Sequence, residues 1–333
     1  VCIVSVLLIL AGCNPSLKPR IVMPAELKLY VGDTQVINAM IEPVGTVAEI
    51  VWESSNTSVV VVDANGQVSA VAEGTATITA SASDMEEAQC LVSVVAIPSS
   101  FPRTFVIEHF TGDGCGYCPG GMYAIVDHIA NSTTPYIWVS HHYGYNNDEY
   151  TIPANSKIGK MLGVKGAPNM VLNRTKQDAG VAFHPGYLPD ITVNDATTAD
   201  ASVEISHTFN PETRILEVTV SGMSAHADTS YLLSVLIKEN RLVGKQTDYI
   251  YSWKAGKWKE YMHARVVRDM LTDPFGDAVI VENNRYSKTF IYEVDPAWAP
   301  ENCCVVAYIT SLDKLPIINA HQVPLVEGTT GGE

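Results

Sequence analysis

The chain has 333 residues, too many for one ordinary core and enough for two or three domains. Hydrophobic residues make up 47% and charged residues 17%, the balance of folded domains rather than of disorder. A formal net charge of -15 sets the surface against phosphate backbones and argues against nucleic-acid binding.

The chain opens VCIVSVLLILAGCN, an apolar run that ends in small residues and a cysteine. The run is too short to span a membrane and suits the apolar region of an export signal. Leu10-Ala11-Gly12-Cys13 resembles the bacterial lipobox, in which the cysteine becomes the lipidated first residue of the mature protein. Residues 1–12 are thus expected to be a signal peptide, Cys13 the site of lipidation and residues 13–20 a tether. One departure from the pattern is that no basic residue precedes the run. Asn14 lacks the acidic side chain that holds some lipoproteins at the inner membrane. The expected location is therefore the cell envelope at the outer membrane, with the face undetermined.

From Ile21 to Ile97 apolar and polar residues alternate between regularly spaced turn signals, among them Val31-Gly32-Asp33 and Asp63-Ala64-Asn65-Gly66. That spacing predicts an all-β sandwich. The stretch VWESSNTSVVVVDANGQVSAVAEGTATITA at residues 51–80 resembles the bacterial immunoglobulin-like domain of group 2, with Trp52 in the core. Its expected work is that of a stiff spacer.

After the linker Pro98–Pro102 the period changes. Arg103–Phe110 reads as a buried strand. Gly116–Ala130 carries Met122, Ile125, Val126 and Ile129 at helical spacing, and Tyr136–Val139 is again a strand. Ala154–Leu162 is helix-like and Met170–Leu172 is a short strand. This alternation predicts an α/β layer over residues 103–197. From residue 198 to 326 the pattern returns to β, with strands expected at 201–208, 214–221, 230–239, 287–293 and 304–310. Residues 246–262 read as an interrupting loop. The predicted class is multidomain α+β, an Ig-like sandwich followed by an α/β domain and an antiparallel sandwich.

The chemistry centres on Cys115-Gly116-Tyr117-Cys118, placed where a strand and a Gly/Asp turn lead into a helix. Unpaired N–H groups and the helix dipole favour a thiolate there. Cys115 is expected to be the exposed nucleophile and Cys118 the resolving thiol, the two close enough for a disulfide. Half of a zinc site is the other reading of such a pair. No second pair at ligand spacing follows, because His141-His142 and Cys303-Cys304 are each adjacent and point to opposite faces of a strand. No metal or cofactor is expected. Cys90, Cys303 and Cys304 are expected to be buried free thiols.

The dithiol and the later Gly163-Val164-Lys165-Gly166-Ala167-Pro168-Asn169 together resemble the thioredoxin-like fold, which implies a cis proline at Pro168 that turns the residue before it toward the dithiol. The resemblance also implies a proton-handling side chain six residues before Cys115. That is His109, or its neighbour Glu108, and a histidine can take such a proton near neutral pH. A strand-end residue satisfied by backbone is the alternative. The polar segment Tyr143–Tyr150 is the expected insertion.

Glu108-His109-Phe110-Thr111-Gly112-Asp113-Gly114-Cys115-Gly116-Tyr117-Cys118-Pro119 is similar to a motif of the outer-membrane-protein-28 lipoproteins of Bacteroidetes. Glu239-Asn240-Arg241, His263–Asp269 and Cys304–Tyr308 extend the likeness over residues 103–325. His263, Arg265, Arg268 and Asp269 are either a site or an interdomain salt-bridge cluster. Two functions remain open. One is thiol–disulfide exchange with exported proteins or an envelope redox partner, at a membrane reached through the lipid on Cys13. The other is a non-catalytic binding or adhesion protein with a structural disulfide. An exposed Cys115 sulfur favours the first, and two buried sulfurs favour the second.

Overall fold

A computed structural model describes residues 18–130, 132–144, 148–174, 197–249 and 256–331. The expected signal peptide and the expected lipidation site Cys13 lie outside the described residues. The chain divides into two compact units, 1–97 and 98–333.

The first unit is a β-sandwich. One sheet has the order Glu26–Tyr30, Ala88–Val95, Gly74–Ser81, Val51–Ser54, and the other Thr34–Val36, Gln67–Ala70, Val60–Val62. Alternate residues of these strands point inward, so Leu29, Val60, Val68, Ile78, Cys90 and Val92 form the core. Trp52 packs against it, half-buried. The Asn65-Gly66 turn requires its glycine. Gly66 has φ +77°, and a Cβ there would lie 2.6 Å from the Trp52 ring.

The second unit begins with β1 (Phe105–Thr111), α1 (Cys118–Ala130), β2 (Tyr136–His142), α2 (Pro153–Met161) and β3 (Asn169–Leu172). It continues with β4 (Glu204–Phe209), β5 (Ile215–Met223), β6 (Ser230–Glu239), β7 (Leu242–Asp248) and β8 (Gly256–His263). The last strands are β9 (Val266–Met270), β10 (Asp277–Ile280), β11 (Arg285–Glu293), β12 (Cys303–Thr310) and β13 (Ile317–Pro324). An eight-stranded sheet runs β3-β1-β2-β9-β6-β12-β13, with β10 paired to β6. β1 and β2 are parallel, and β3 is antiparallel to β1. Where the sequence suggests an α/β domain at 103–197 and a separate one at 198–326, a single sheet passes through both. Its junction is the parallel pairing of Ser140 with Val266.

Strands β6 and β12 are buried on both faces, which explains their unbroken apolar runs. Leu233, Val235, Ile237, Val305, Ala307 and Ile309 face the three-stranded sheet β4-β5-β11 and close a sandwich core. Leu236, Val306 and Tyr308 face the other way, toward Val106, Ile137 and Val139. α1 and α2 cover opposite faces of β1. Ile125 of α1 packs with Phe105 and Ile107, whereas Ile158 of α2 packs with Phe110 and Val171.

The segment read as an interrupting loop is instead the β7–β8 hairpin, joined from Leu242↔His263 to Asp248↔Gly256. Its lysines and aromatics mask the period-two pattern, because its inner partners are the turn and helix that carry the cysteines. β9, β10 and β13 are further strands that the sequence reading does not include.

Candidate functional site

The site lies at the C-terminal end of the parallel strands β1 and β2. Period two in a strand and the register His109↔Ser140, Thr111↔His142 bring these four side chains to one face. Earlier on that face Phe105, Ile107 and Trp138 supply the core under α1. The face therefore changes from apolar to polar as it reaches the turn Gly112–Tyr117.

Cys115 and Cys118 are joined in a disulfide, with Cα atoms 5.3 Å apart. α1 begins at Cys118, so Cys115 lies in the preceding turn and not inside the helix. The Cys118 amide donates to the Cys115 carbonyl at 3.2 Å, and Pro119 follows in the first helical turn, where its missing N–H is harmless.

Cys115 is not the exposed thiol expected from sequence. Each cysteine is only 2% exposed. The cause is the β7–β8 hairpin, which lies over the turn. Thr247 N–H donates to the Asp113 carbonyl at 2.7 Å, and Tyr249 N–H to the Gly116 carbonyl at 2.8 Å. Gln246 Nε2 donates toward the carbonyls of Cys115, Thr247 and Gly112 at 2.9, 2.9 and 3.2 Å. The Tyr249 ring occupies the space beside Gly116 and meets the half-exposed Tyr117 edge to face, with ring centroids 5.6 Å apart.

Beneath this cover is a cavity of about 20 Å³, room for roughly one water molecule. Cys118, His109, Ser140 and His142 are in its wall, and Gln246, Tyr261 and His263 of the hairpin close it. His109 Nδ1 lies 3.5 Å from Ser140 Oγ, and its Nε2 is buried without a hydrogen bond. Burial, together with the nearby charges of His142, His141 and Arg265, pushes the His109 pKa down to about 3. Burial likewise lowers His263 to about 4, and its Nε2 sits 2.9 Å from the Lys245 carbonyl. His142 Nδ1 bonds Asp148 Oδ2 at 2.7 Å.

Of the two candidate proton carriers on β1, Glu108 points away from the cysteines. It is fully buried on the opposite face, where Arg174 Nε and Nη2 donate to its two carboxylate oxygens at 2.9 and 2.8 Å. Burial would raise the Glu108 carboxyl, but Arg174 and His141 outweigh it and hold it at about 2. Arg174 also donates to Tyr308 Oη at 2.6 Å, which ties β1 to β12. His109 is the member of the pair that reaches the cavity with Cys118.

Pro168 follows a cis peptide bond, and Asn169 pairs with Phe110, so the proline lies at the same end of the sheet as the cysteine turn. It is buried and stands outside the cavity wall. The His263–Asp269 group is divided. His263 is in the cavity, Arg265 stacks on Trp138, Arg268 forms an ion pair with Glu239 at 3.0 Å, and Asp269 accepts from Tyr292 Oη at 2.7 Å. Cys90, Cys303 and Cys304 are buried and lie outside any disulfide. Among the described residues no three His, Cys, Asp or Glu side chains gather as a metal site. Sequence reading missed His142 with Asp148, and Gln246. A histidine and an aspartate six apart across a polar insertion are the one local signal of the first pair.

Comparison with known proteins places much of this chain. The family model for outer membrane protein Omp28 matches residues 155–328. The model for the bacterial Ig-like domain of group 2 matches residues 17–92. HBP35 of Porphyromonas gingivalis is similar in structure at 23% identity and TM-score 0.55, over 71% of this chain and 80% of its own. A protein from Agrobacterium tumefaciens is 17% identical with TM-score 0.37, over 68% of this chain and 96% of its own. A domain of the outer membrane lipoprotein Omp28 from Porphyromonas gingivalis is 15% identical with TM-score 0.26, over 38% of this chain and 87% of its own. No curated protein matches. The Omp28 match begins after Cys118, so it carries no argument about the dithiol. It does cover more than half of the chain, and the chain belongs to the outer membrane protein Omp28 family, with a bacterial Ig-like domain of group 2 ahead of the matched region.

Proposed function

We propose that this chain is an outer-membrane lipoprotein, anchored through Cys13, whose Cys115–Cys118 pair exchanges with thiols and disulfides of exported proteins. The observation that carries this reading is the polar cavity against Cys118. A purely structural disulfide needs no buried cluster of His109, His142 and His263, and such a cluster is unfavourable unless it serves a purpose. The order β1-α1-β2-α2-β3, with a cis proline entering β3, supports a thioredoxin-like layer as its scaffold.

In the reduced form the Cys115 thiolate would attack a client disulfide and form a mixed disulfide. Cys118 would then attack Cys115 and release the client thiol. The reverse sequence oxidises a client dithiol. Both need the hairpin to lift from Cys115.

A second reading is favoured by the 2% exposure of both cysteines. In it the disulfide is structural, and the β domains form a binding or adhesion surface. Trapping separates the two. The Cys118→Ser protein, incubated with a disulfide-bonded peptide, is expected to accumulate a Cys115–peptide adduct visible by mass. If no adduct forms while the wild-type disulfide also survives millimolar reduced glutathione, the binding reading stands.

A further inference from the structure

The cavity beside Cys118 contains three histidines, and they are not equivalent. A side chain that takes up a proton away from solvent needs a nearby negative charge to hold it. His109 has no carboxylate within hydrogen-bond reach, and His263 turns its Nε2 to a carbonyl. Both are held neutral, at about 3 and about 4, by burial first and by neighbouring charge second. His142 is different. Its Nδ1 lies 2.7 Å from Asp148 Oδ2. Asp148 is in turn fixed by the amides of Asp113 and Tyr150 at 2.9 and 3.0 Å. Burial works against ionisation of Asp148, but the hydrogen bond and charge of His142 overcome it and hold the carboxyl below its usual range. A carboxylate on Nδ1 fixes the proton there and leaves Nε2 as the acceptor.

We infer that His142, oriented by Asp148, accepts the proton of Cys118 through one water in the cavity. The inference rests on the exchange reading above and names the residue that makes its second step work. In that step Cys115 is in a mixed disulfide with a client sulfur. The Cys118 S–H proton passes through the water to His142 Nε2. The Cys118 sulfur then forms a bond to Cys115 Sγ, the Cys115–client bond breaks, and the client sulfur leaves with the electron pair as a thiolate. Two electrons have moved from the protein dithiol to the client disulfide. The proton rests on His142 against Asp148 and passes on to the thiolate or to solvent. His109, the candidate nearest the cysteines in sequence, then serves as a neutral wall of the cavity.

The test uses the reduced full chain and an aromatic disulfide, such as 5,5′-dithiobis(2-nitrobenzoate), whose thiolate is coloured when released. A first phase reports mixed-disulfide formation at Cys115. A second phase, defined as the one that Cys118→Ser removes, reports the attack by Cys118. His142→Gln and Asp148→Asn are expected to leave the first phase within about twofold and to slow the second by roughly tenfold or more. They should also flatten the pH dependence of the second phase. The ionisable groups facing His142 are Asp148, Asp113, His109, Tyr150, Tyr261 and His263, with Lys245 beside Asp113. For that reason His109→Gln is run alongside as a comparison, and it should keep the pH dependence of the second phase that His142→Gln and Asp148→Asn lose. Asp148→Asn keeps the shape of the side chain, so it tests the same point if His142→Gln fails to fold. A second phase unchanged in rate and pH profile in both variants overturns the inference, as does one abolished by His109→Gln alone. Absence of the first phase in the wild type overturns the exchange reading itself.

Discussion

The ring of Tyr249 lies against Gly116, in the space that any side chain at that position would need, while its own amide donates to the Gly116 carbonyl at 2.8 Å. The cover over the disulfide therefore depends on a glycine between the cysteines. Gly116→Ala should force the ring and the hairpin outward, at about 1–3 kcal/mol. The expected outcome is several-fold faster reduction of Cys115–Cys118 by dithiothreitol, with faster amide exchange at Thr247 and Tyr249. Unchanged reduction would show that the hairpin does not control access.

Gln246 gives a second handle on the same cover. Its amide nitrogen has two hydrogens and three carbonyls within reach. Gln246→Ala leaves the buried Cys115 carbonyl without that donor, a loss of about 1–3 kcal/mol. Gln246→Glu removes the donor while keeping the size, and should behave in the same way. Both variants should reduce faster than wild type, and thermal melts should register the lost stability.

The Glu108–Arg174 pair predicts a different phenotype. Both side chains are fully buried, and they bridge β1 to the end of β3. Arg174→Met leaves a buried carboxylate unpaired, which costs about 3–5 kcal/mol. Adding Glu108→Gln removes that charge and should recover much of the loss. Denaturant melts of the two single variants and the double variant measure the coupling directly.

Much of this architecture can be read locally in the chain. The Ig-like strands alternate, the Asn65-Gly66 turn carries its signal, and the cysteines follow an apolar strand through a Gly/Asp turn. What cannot be read depends on distant partners. Glu108 and Arg174 are 66 residues apart, and Gln246 lies 131 residues from the Cys115 carbonyl it bonds. The hairpin is polar and aromatic because it packs on a turn rather than on a core. The burial of Cys115 follows from that hairpin and leaves no trace near Cys115 itself. His141 and His142 look alike in sequence. Only the pleat sends His141 to Asn155 and Glu108, and His142 to Asp148 and the cavity.

Acid should loosen the second unit in two stages. His109 and His263 are depressed to about 3 and about 4, so the unfolded chain binds more protons than the native one below the ordinary histidine value near 6.5. Their contribution is complete above that value and is lost as pH falls toward 4 and 3. Glu108, held at about 2, contributes above its unfolded value near 4.5 and loses that contribution as pH falls toward 2. Melting temperatures between pH 7 and 3 should therefore fall, and His109→Gln should make the upper part of the fall shallower. A flat profile from pH 7 to 5 would contradict the burial of these rings.

The most direct test of the account is the equilibrium reduction potential of Cys115–Cys118 in protein spanning residues 18–333, with Cys115→Ser and Cys118→Ser as controls. A pair that exchanges with client thiols should show a value in the range of dithiol exchange proteins, roughly -120 to -270 mV, reached reversibly in glutathione buffers. A value below about -300 mV, unmoved by reduced glutathione, would mark the bond as structural and contradict the exchange reading.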